Sequence, residues 1–289
     1  MSPFTLCCRG RLVTFGQPAI LGILNVTEDS FYDGGRYTTP ETIVAQARNL
    51  LAQGADIIDV GAVSSRPGAQ LLSPDDEAAR LVPVVQLLRK ELGDKAIISV
   101  DTCFSLPAAK AVEAGADIVN DISGGQFDAQ MFPTVAALQV PYILMHTRGT
   151  PDTMQSPENT RYGDIIGDLA LYFSEKLDSL LRLGVKDIIL DPGFGFAKTV
   201  DQNYELLDRL DELVTLFPER PLLAALSNKS MISKRLTALP AAAPATATLP
   251  PTEYGTLALN AIALDRGARL LRVHTPYPSR IAITLNSKL

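Results

Sequence analysis

A single (β/α)8 TIM barrel, an α/β fold, is the architecture this sequence predicts, and three observations predict it. Short β-branched or apolar runs alternate with longer helix-like stretches through eight units, as expected of strands buried on both faces of a parallel sheet. The corners leading into the strands repeat one phrase: Gln53-Gly54-Ala55-Asp56-Ile57-Ile58, Ala114-Gly115-Ala116-Asp117-Ile118-Val119 and Arg266-Gly267-Ala268-Arg269-Leu270-Leu271 each end a helix on Gly, turn and enter a strand. The chain runs 289 residues without a break in composition, which suits one such barrel over residues 1–289 better than two domains. An open, doubly wound sheet is the alternative that spacing alone leaves standing.

The strands are expected at Ala19–Leu24, Ile57–Val60, Ile97–Val100, Ile118–Asn120, Tyr142–Met145, Ile188–Leu190, Leu222–Leu226 and Leu270–Val273. Helices fall between them. Pro40–Gln53 has Thr39 as its N-cap and stops before Gly54. Pro74–Leu92 opens after Ser73 with Asp75, Asp76 and Glu77, acidic groups that suit the positive end of a helix. Leu106–Ala114 and Ile165–Leu183 each end at a glycine. Asn203–Leu216 and Gly255–Arg266 complete the set. Leu239–Pro251 carries Pro240, Pro244, Pro250 and Pro251, which break helix and strand alike, so a long loop is expected after the seventh strand.

Composition narrows the function classes. Hydrophobic residues make up 46% and charged residues 20% of the chain, enough apolar content for a large core. No run reaches ~18 consecutive apolar residues, so no membrane span is expected. Met1–Gly10 lacks the charged start and apolar stretch of a signal peptide, and a cytoplasmic location is expected. A net charge of −6 argues against broad nucleic-acid binding while leaving room for a local anion site. Cys7, Cys8 and Cys103 have neither metal-ligand nor disulfide spacing, and with only His146 and His274 a zinc site is not expected.

In a barrel of this kind chemistry collects at the C-terminal ends of the strands. Those ends here carry Asn25–Ser30, Gly61 with Ser64–Gly68, Asp101–Thr102, Asn120–Asp121, His146–Thr150, Asp191–Phe196, Ser227–Ser230 and Arg272–His274. Asp101, Asn120, Asp191 and Lys229 suit a flat heterocycle with an amidine edge: carboxylates accept its N–H groups, the amide does both jobs, and the lysine meets a ring carbonyl. Asn25, Arg66, Arg272 and His274 form a second set suited to phosphate oxygens. Any one Asp or Asn at a strand end is more often a turn residue bonded to its own backbone. Eight strand ends in succession carrying such groups is harder to dismiss. Asp56 and Asp59 flank the second strand and read as structural. Glu28, Asp29 and Asp33 offer carboxylates to a metal on spacing alone, which is a weak signal.

These same blocks resemble the dihydropteroate synthases. The resemblance runs from Leu21 nearly to the C-terminus through Gly22–Phe31 with Asp33-Gly34-Gly35, Gly54–Gly61, Ser65-Arg66-Pro67-Gly68, Ser99–Thr102, Asn120–Gly124, Met145–Pro151, Asp191–Phe196, Ser227–Ser230 and Arg272-Val273-His274. So many blocks in one order is a specific signal. The resemblance implies the condensation of a pterin pyrophosphate with p-aminobenzoate, a Mg2+ cofactor joined at Asn25, and a homodimer. It places Asp101, Asn120, Asp191 and Lys229 in the pterin pocket, with Met145 and Ser227 among the substrate-binding positions. It places Asn25, Arg272 and His274 at the pyrophosphate, Ser65 and Arg66 on a loop that closes over the site, and Phe196, Lys229 and Ser230 around p-aminobenzoate. A methyltetrahydrofolate methyltransferase or a non-enzymatic pterin binder would share the pocket, but Ser65–Gly68 and Arg272–His274 favour the synthase. Asn228 stands where an Arg is usual in the family, which would take one cation from the p-aminobenzoate end. Val63 stands where a Glu is common and Thr275 where an Asp is frequent. Glu28 and Arg272–Pro276 resemble the sulfonamide-insensitive branch.

Overall fold

The computed structural model describes residues 3–26, 39–62, 72–238 and 248–286. Glu28, Asp29, Asp33, Val63, Ser65 and Arg66, and most of the proline-rich stretch at 239–247, lie outside the described residues.

Eight parallel strands run through the described residues: β3 (Ala19–Asn25), β4 (Ile57–Gly61), β5 (Ile97–Asp101), β6 (Ile118–Asp121), β7 (Tyr142–Met145), β8 (Ile188–Asp191), β9 (Leu223–Ala224) and β10 (Leu270–Val273). Their order is β8-β7-β6-β5-β4-β3-β10-β9. A parallel bridge from Leu190 to Leu222, with the Leu190 N–H donating to the Pro221 carbonyl at 3.0 Å, joins the two ends. That closure makes a barrel and removes the open-sheet alternative. β9 is shorter than the expected Leu222–Leu226, because the chain beyond Ala224 leaves the ladder for a turn in which the Lys229 N–H meets the Leu226 carbonyl.

Helices cover the outside: α1 (Pro40–Ala52), α2 (Pro74–Leu92), α3 (Ser105–Ala114), α4 (Met131–Leu138), α5 (Ile165–Arg182), α6 (Val200–Asp208), α7 (Leu210–Leu216), α8 (Ser230–Leu236), α9 (Pro251–Asp265) and α10 (Pro276–Asn286). Thr39 caps α1 in a capping box and Ser73 caps α2. The helix expected over Asn203–Leu216 is two helices. The break falls at Arg209, whose guanidinium bonds to Glu205, Glu212 and Asp164. Helix α8 lies between β9 and the loop expected over Leu239–Pro251, most of which is outside the described residues.

The repeated corner phrase has a physical content. Asp56 accepts the Ile20 N–H at 2.8 Å and is paired with Arg280, which also donates to the Gly54 carbonyl. Asp117 accepts the Ile98 N–H at 2.8 Å and is paired with Arg89, which also donates to the Gly115 carbonyl. Each aspartate therefore ties a corner to the neighbouring strand.

A hairpin not foreseen in the sequence precedes the barrel. β1 (Phe4–Cys8) and β2 (Arg11–Phe15) pair antiparallel around Arg9-Gly10, both at positive φ, the geometry of a tight two-residue turn. The Phe4 and Phe15 rings stack at 4.9 Å. Leu6, Cys8 and Phe15 pack against Leu21, Ile57, Ile97, Ile118, Ile143, Ile189, Leu223 and Leu270, the lowest layer of side chains inside the barrel. The hairpin thus closes the lower mouth.

Because side chains on a strand alternate with period two, the residues two and four positions after that lowest layer also point inward. Within the strands, two positions on are Ile23, Asp59, Ser99, Asn120, Met145, Asp191 and Arg272; four positions on come Asn25, Gly61 and Asp101. The barrel is dry at the bottom and polar at the top.

Leu6 is buried in that lowest contact while Leu12 on the partner strand is 78% exposed. Leu6→Ala is expected to cost about 2–5 kcal/mol in urea unfolding, with Leu12→Ala near wild type. Equal midpoints for the two variants would mean that the hairpin does not cap the core.

Candidate active site

Arg272 on β10 reaches across the top of the barrel. Its Nε donates to Asp59 Oδ2 on β4 and its Nη2 to Asp101 Oδ2 on β5, both at 2.6 Å. Asn120 on β6 adds its Nδ2, 3.2 Å from Asp59 Oδ2. Asp59 and Asn120 are buried, and the Arg272 side chain is 13% exposed. Burial pushes the Asp101 carboxyl up, and the neighbouring Asp59 charge adds to this against the pull of Arg272. Arg272, expected with the phosphate set, is thus hydrogen-bonded to Asp101 of the expected heterocycle set, so the two sets adjoin at this residue.

Asp191 closes β8 beside it. Its Oδ1 accepts the Gly193 N–H at 2.8 Å. Burial raises its carboxyl, opposed by that bond and by Lys229, Arg272 and Lys198. Lys229, after β9, places Nζ 4.3 Å from the centroid of the Phe196 ring. Burial lowers its pKa to about 8 despite the attraction of Asp191 and Asp101. Ser230 follows as the exposed first residue of α8.

The loop from Asp191 to Lys198 forms the wall on this side. Gly193 (φ 71°) runs so close to the His146 carbonyl that a Cβ would collide with it, and Gly195 (φ 82°) leaves the room taken by the Lys229 stem. Met145, Met154, Phe196 and Ala197 pack together as its apolar face. Lys198 knots the loop from behind: its buried Nζ lies 3.1 Å from the Gly193 and Phe196 carbonyls and from His146 Nδ1. Burial lowers the Lys198 pKa to about 7, and burial together with Lys198 and Arg148 holds His146 well below its usual value.

At the rim, Ser227 Oγ accepts the backbone N–H of His274 at 3.2 Å and lies 2.9 Å from His274 Nδ1. The Ser227 hydroxyl therefore holds the His274 ring from its Nδ1 side, with Nε2 on the far edge of the ring. Asn25 is exposed at the end of β3. Its Oδ1 and Asp101 Oδ2 lie 3.5 and 3.8 Å from the position a Cβ on Gly61 would occupy, so that glycine keeps the gap between them clear.

The structure thus brings Asn25, Asp101, Asn120, Met145, Asp191, Phe196, Ser227, Lys229, Ser230, Arg272 and His274 to one end of the barrel. Asp59 is corrected from a strand-flanking structural residue to the buried partner of two site residues. The signal that could have found it is its place two residues after Ile57, on the inward face. Lys198 was also missed, since nothing in its immediate sequence marks a buried ammonium. Among the described residues no group of three or more His, Cys, Asp or Glu side chains is arranged to hold a metal.

The chain matches the family described as pterin binding enzymes over residues 21–274. It is 44% identical over 259 residues to a dihydropteroate synthase of Synechocystis sp., covering 88% of this chain and 84% of that one. A solved dihydropteroate synthase of Yersinia pestis in a sulfonamide drug complex superposes with a TM-score of 0.86 at 34% identity, covering 99% of this chain and 98% of that one. One from Xanthomonas albilineans with 4-aminobenzoic acid gives 0.84 at 33%, covering 98% and 97%.

Removing one partner from a buried ion pair leaves an uncompensated charge. Asp59→Ala is accordingly expected to lower unfolding stability by about 3–5 kcal/mol. A denaturant midpoint at the wild-type value would mean that Arg272 does not need its second carboxylate.

Proposed function

The chain belongs to the pterin binding enzyme family as a dihydropteroate synthase, and we propose that the cleft above Arg272 is where it condenses 6-hydroxymethyl-7,8-dihydropterin pyrophosphate with p-aminobenzoate to give 7,8-dihydropteroate and pyrophosphate. The observation that carries this assignment is the convergence of Asp101, Asn120, Asp191, Lys229, Arg272 and His274 at one rim.

The pterin lies flat over the network. Asp101 and Asp191 accept its ring N–H groups, Asn120 bonds its edge, and the Lys229 ammonium meets the ring carbonyl. Met145 supplies apolar contact. The pyrophosphate lies towards Asn25, Ser227 and His274, where the His274 imidazole and the charge of Arg272 stabilise the departing group. The C–O bond to pyrophosphate breaks with its electron pair leaving on oxygen, and the electron-rich pterin carries positive charge on its methylene carbon. The arylamine nitrogen, held near Phe196, Lys229 and Ser230, forms the new C–N bond and gives up one proton. It is already a good nucleophile, so no strong base is needed. The family pattern expects Ser65 and Arg66, which lie outside the described residues, to keep water from the cation.

A magnesium ion fits the donor set at this rim. Asn25 offers one exposed amide oxygen beside the gap over Gly61, and Mg2+ is commonly held by one or two protein oxygens with the rest from phosphate and water. Bound there, it would neutralise charge on the pyrophosphate oxygens.

We place the reaction in the cytoplasm, since Cys7, Cys8 and Cys103 are all free thiols, as suits a reducing compartment. Among the described residues no helix is long and apolar enough to cross a membrane. A homodimer is supported by a run of exposed apolar side chains on adjacent helices: Tyr254 and Ile262 on α9, and Tyr277, Ile281 and Leu285 on α10.

Pyrophosphate release from the pterin substrate is expected to require p-aminobenzoate and Mg2+, and Asn25→Ala to raise the Mg2+ needed several-fold. No 7,8-dihydropteroate formed from both substrates with Mg2+ would overturn the assignment. Lys229→Ala and Asp101→Asn should each lower kcat/KM by ~10² or more. The Lys229 ammonium is charged below about 8, so kcat/KM should fall as pH rises through that value. The residual rate of Lys229→Met should lack this alkaline limb.

A further inference from the structure

Asn228 lies between two residues of the proposed site, Ser227 and Lys229, yet its side chain is engaged elsewhere. Its Nδ2 donates to Glu253 Oε1 at 2.8 Å, and its backbone N–H donates to Thr256 Oγ1 at 3.1 Å. Glu253 and Thr256 are buried one turn apart on the same face of α9, and Thr256 Oγ1 itself donates to the Thr252 carbonyl at 2.8 Å. Asn228 has φ 56°, in the left-handed region that Asn, Asp and Gly occupy most readily. Helix α9 therefore grips this residue by side chain and main chain together.

What that grip fixes is the root of Lys229. The Lys229 side chain runs past Gly195, where a Cβ would stand 3.0 Å from its Cδ, and ends over the Phe196 ring. Its far end is set by the Asp191–Lys198 wall. Its near end has no side-chain cap of its own, since Lys229 is the N-cap of α8 without a capping bond. The neutral side chain that stands where an arginine is usual in the family is bonded to α9.

We propose that Asn228 is a positioning residue, which through its paired bonds to Glu253 and Thr256 on α9 sets where the Lys229 ammonium stands in the cleft. The inference rests on the synthase reading of that cleft. Bond and backbone demand the same residue types: a short side chain tolerant of positive φ, carrying a donor for a buried carboxylate.

The test reverses the bond. Asn228→Asp sets two carboxylates face to face while keeping a residue suited to the backbone. Asn228→Asp combined with Glu253→Gln restores one hydrogen bond with donor and acceptor exchanged. Steady-state kinetics are measured for both substrates across pH, with unfolding midpoints alongside. Asn228→Asp is expected to lower kcat/KM about tenfold, within the range for directly bonded neighbours, and to move the alkaline limb that reports Lys229. The double variant should recover both. Asn228→Gly, which keeps the backbone and deletes only the side chain, should lose activity without losing the fold. Wild-type kinetics in Asn228→Asp and Asn228→Gly, or a double variant no better than Asn228→Asp at equal unfolding midpoints, would overturn the proposal. An inactive wild-type protein would instead count against the synthase reading itself.

Discussion

Arg272 touches two carboxylates from two other strands, and the upper half of the barrel is arranged around that contact. Placing a guanidinium and two carboxylates under cover is costly unless every partner is bonded. Here Asp59 receives Arg272 and Asn120, and Asp101 receives Arg272. The cluster links β4, β5, β6 and β10 above the apolar layer of Ile57, Ile97, Ile118 and Leu270. With one cation between two anions, it holds a carboxylate at the surface of the cleft without leaving a bare charge beneath it. That is the arrangement a ring with several N–H groups requires.

A second buried cation acts on the backbone. The Lys198 ammonium is enclosed by two carbonyls and a ring nitrogen, all belonging to the segments that frame the Asp191–Lys198 wall. The wall holds its shape because a single group satisfies several carbonyl and imidazole acceptors that would otherwise face each other, and because Gly193 and Gly195 allow the chain to turn where a side chain would not fit. Phe196 is presented from that frame, and Lys229 is laid across it.

Much of this was legible in the sequence, and particular residues show why. The eight strand positions followed from the apolar runs, and the corner glycines located the turns. The site followed from polar residues standing where strands should end. Asp59 escaped because it sits inside a strand, where an aspartate next to Asp56 resembles one more turn residue; only the period-two register, counted from Ile57, turns it inward. Arg272 was assigned by residue type to phosphate; that it also bonds Asp59 and Asp101, 213 and 171 positions away in the chain, no local pattern announces. The hairpin was missed although Arg9-Gly10 between alternating apolar residues carried its signal. At the break, Arg209 bonds to Asp164 on a distant part of the chain as well as to Glu205 and Glu212, and no apolar pattern announces the division.

The hairpin at the bottom has a consequence for traffic. With Leu6, Cys8 and Phe15 stoppering the lower end, the barrel is a well with one opening, so whatever goes in comes out the same way. If the pterin is held against Asp101 and Asn120 and the arylamine nearer Phe196, as proposed, the ring seated deeper would have to arrive first and could not depart while its partner stayed. A queue of this kind needs no moving part: depth alone sets the order of arrival.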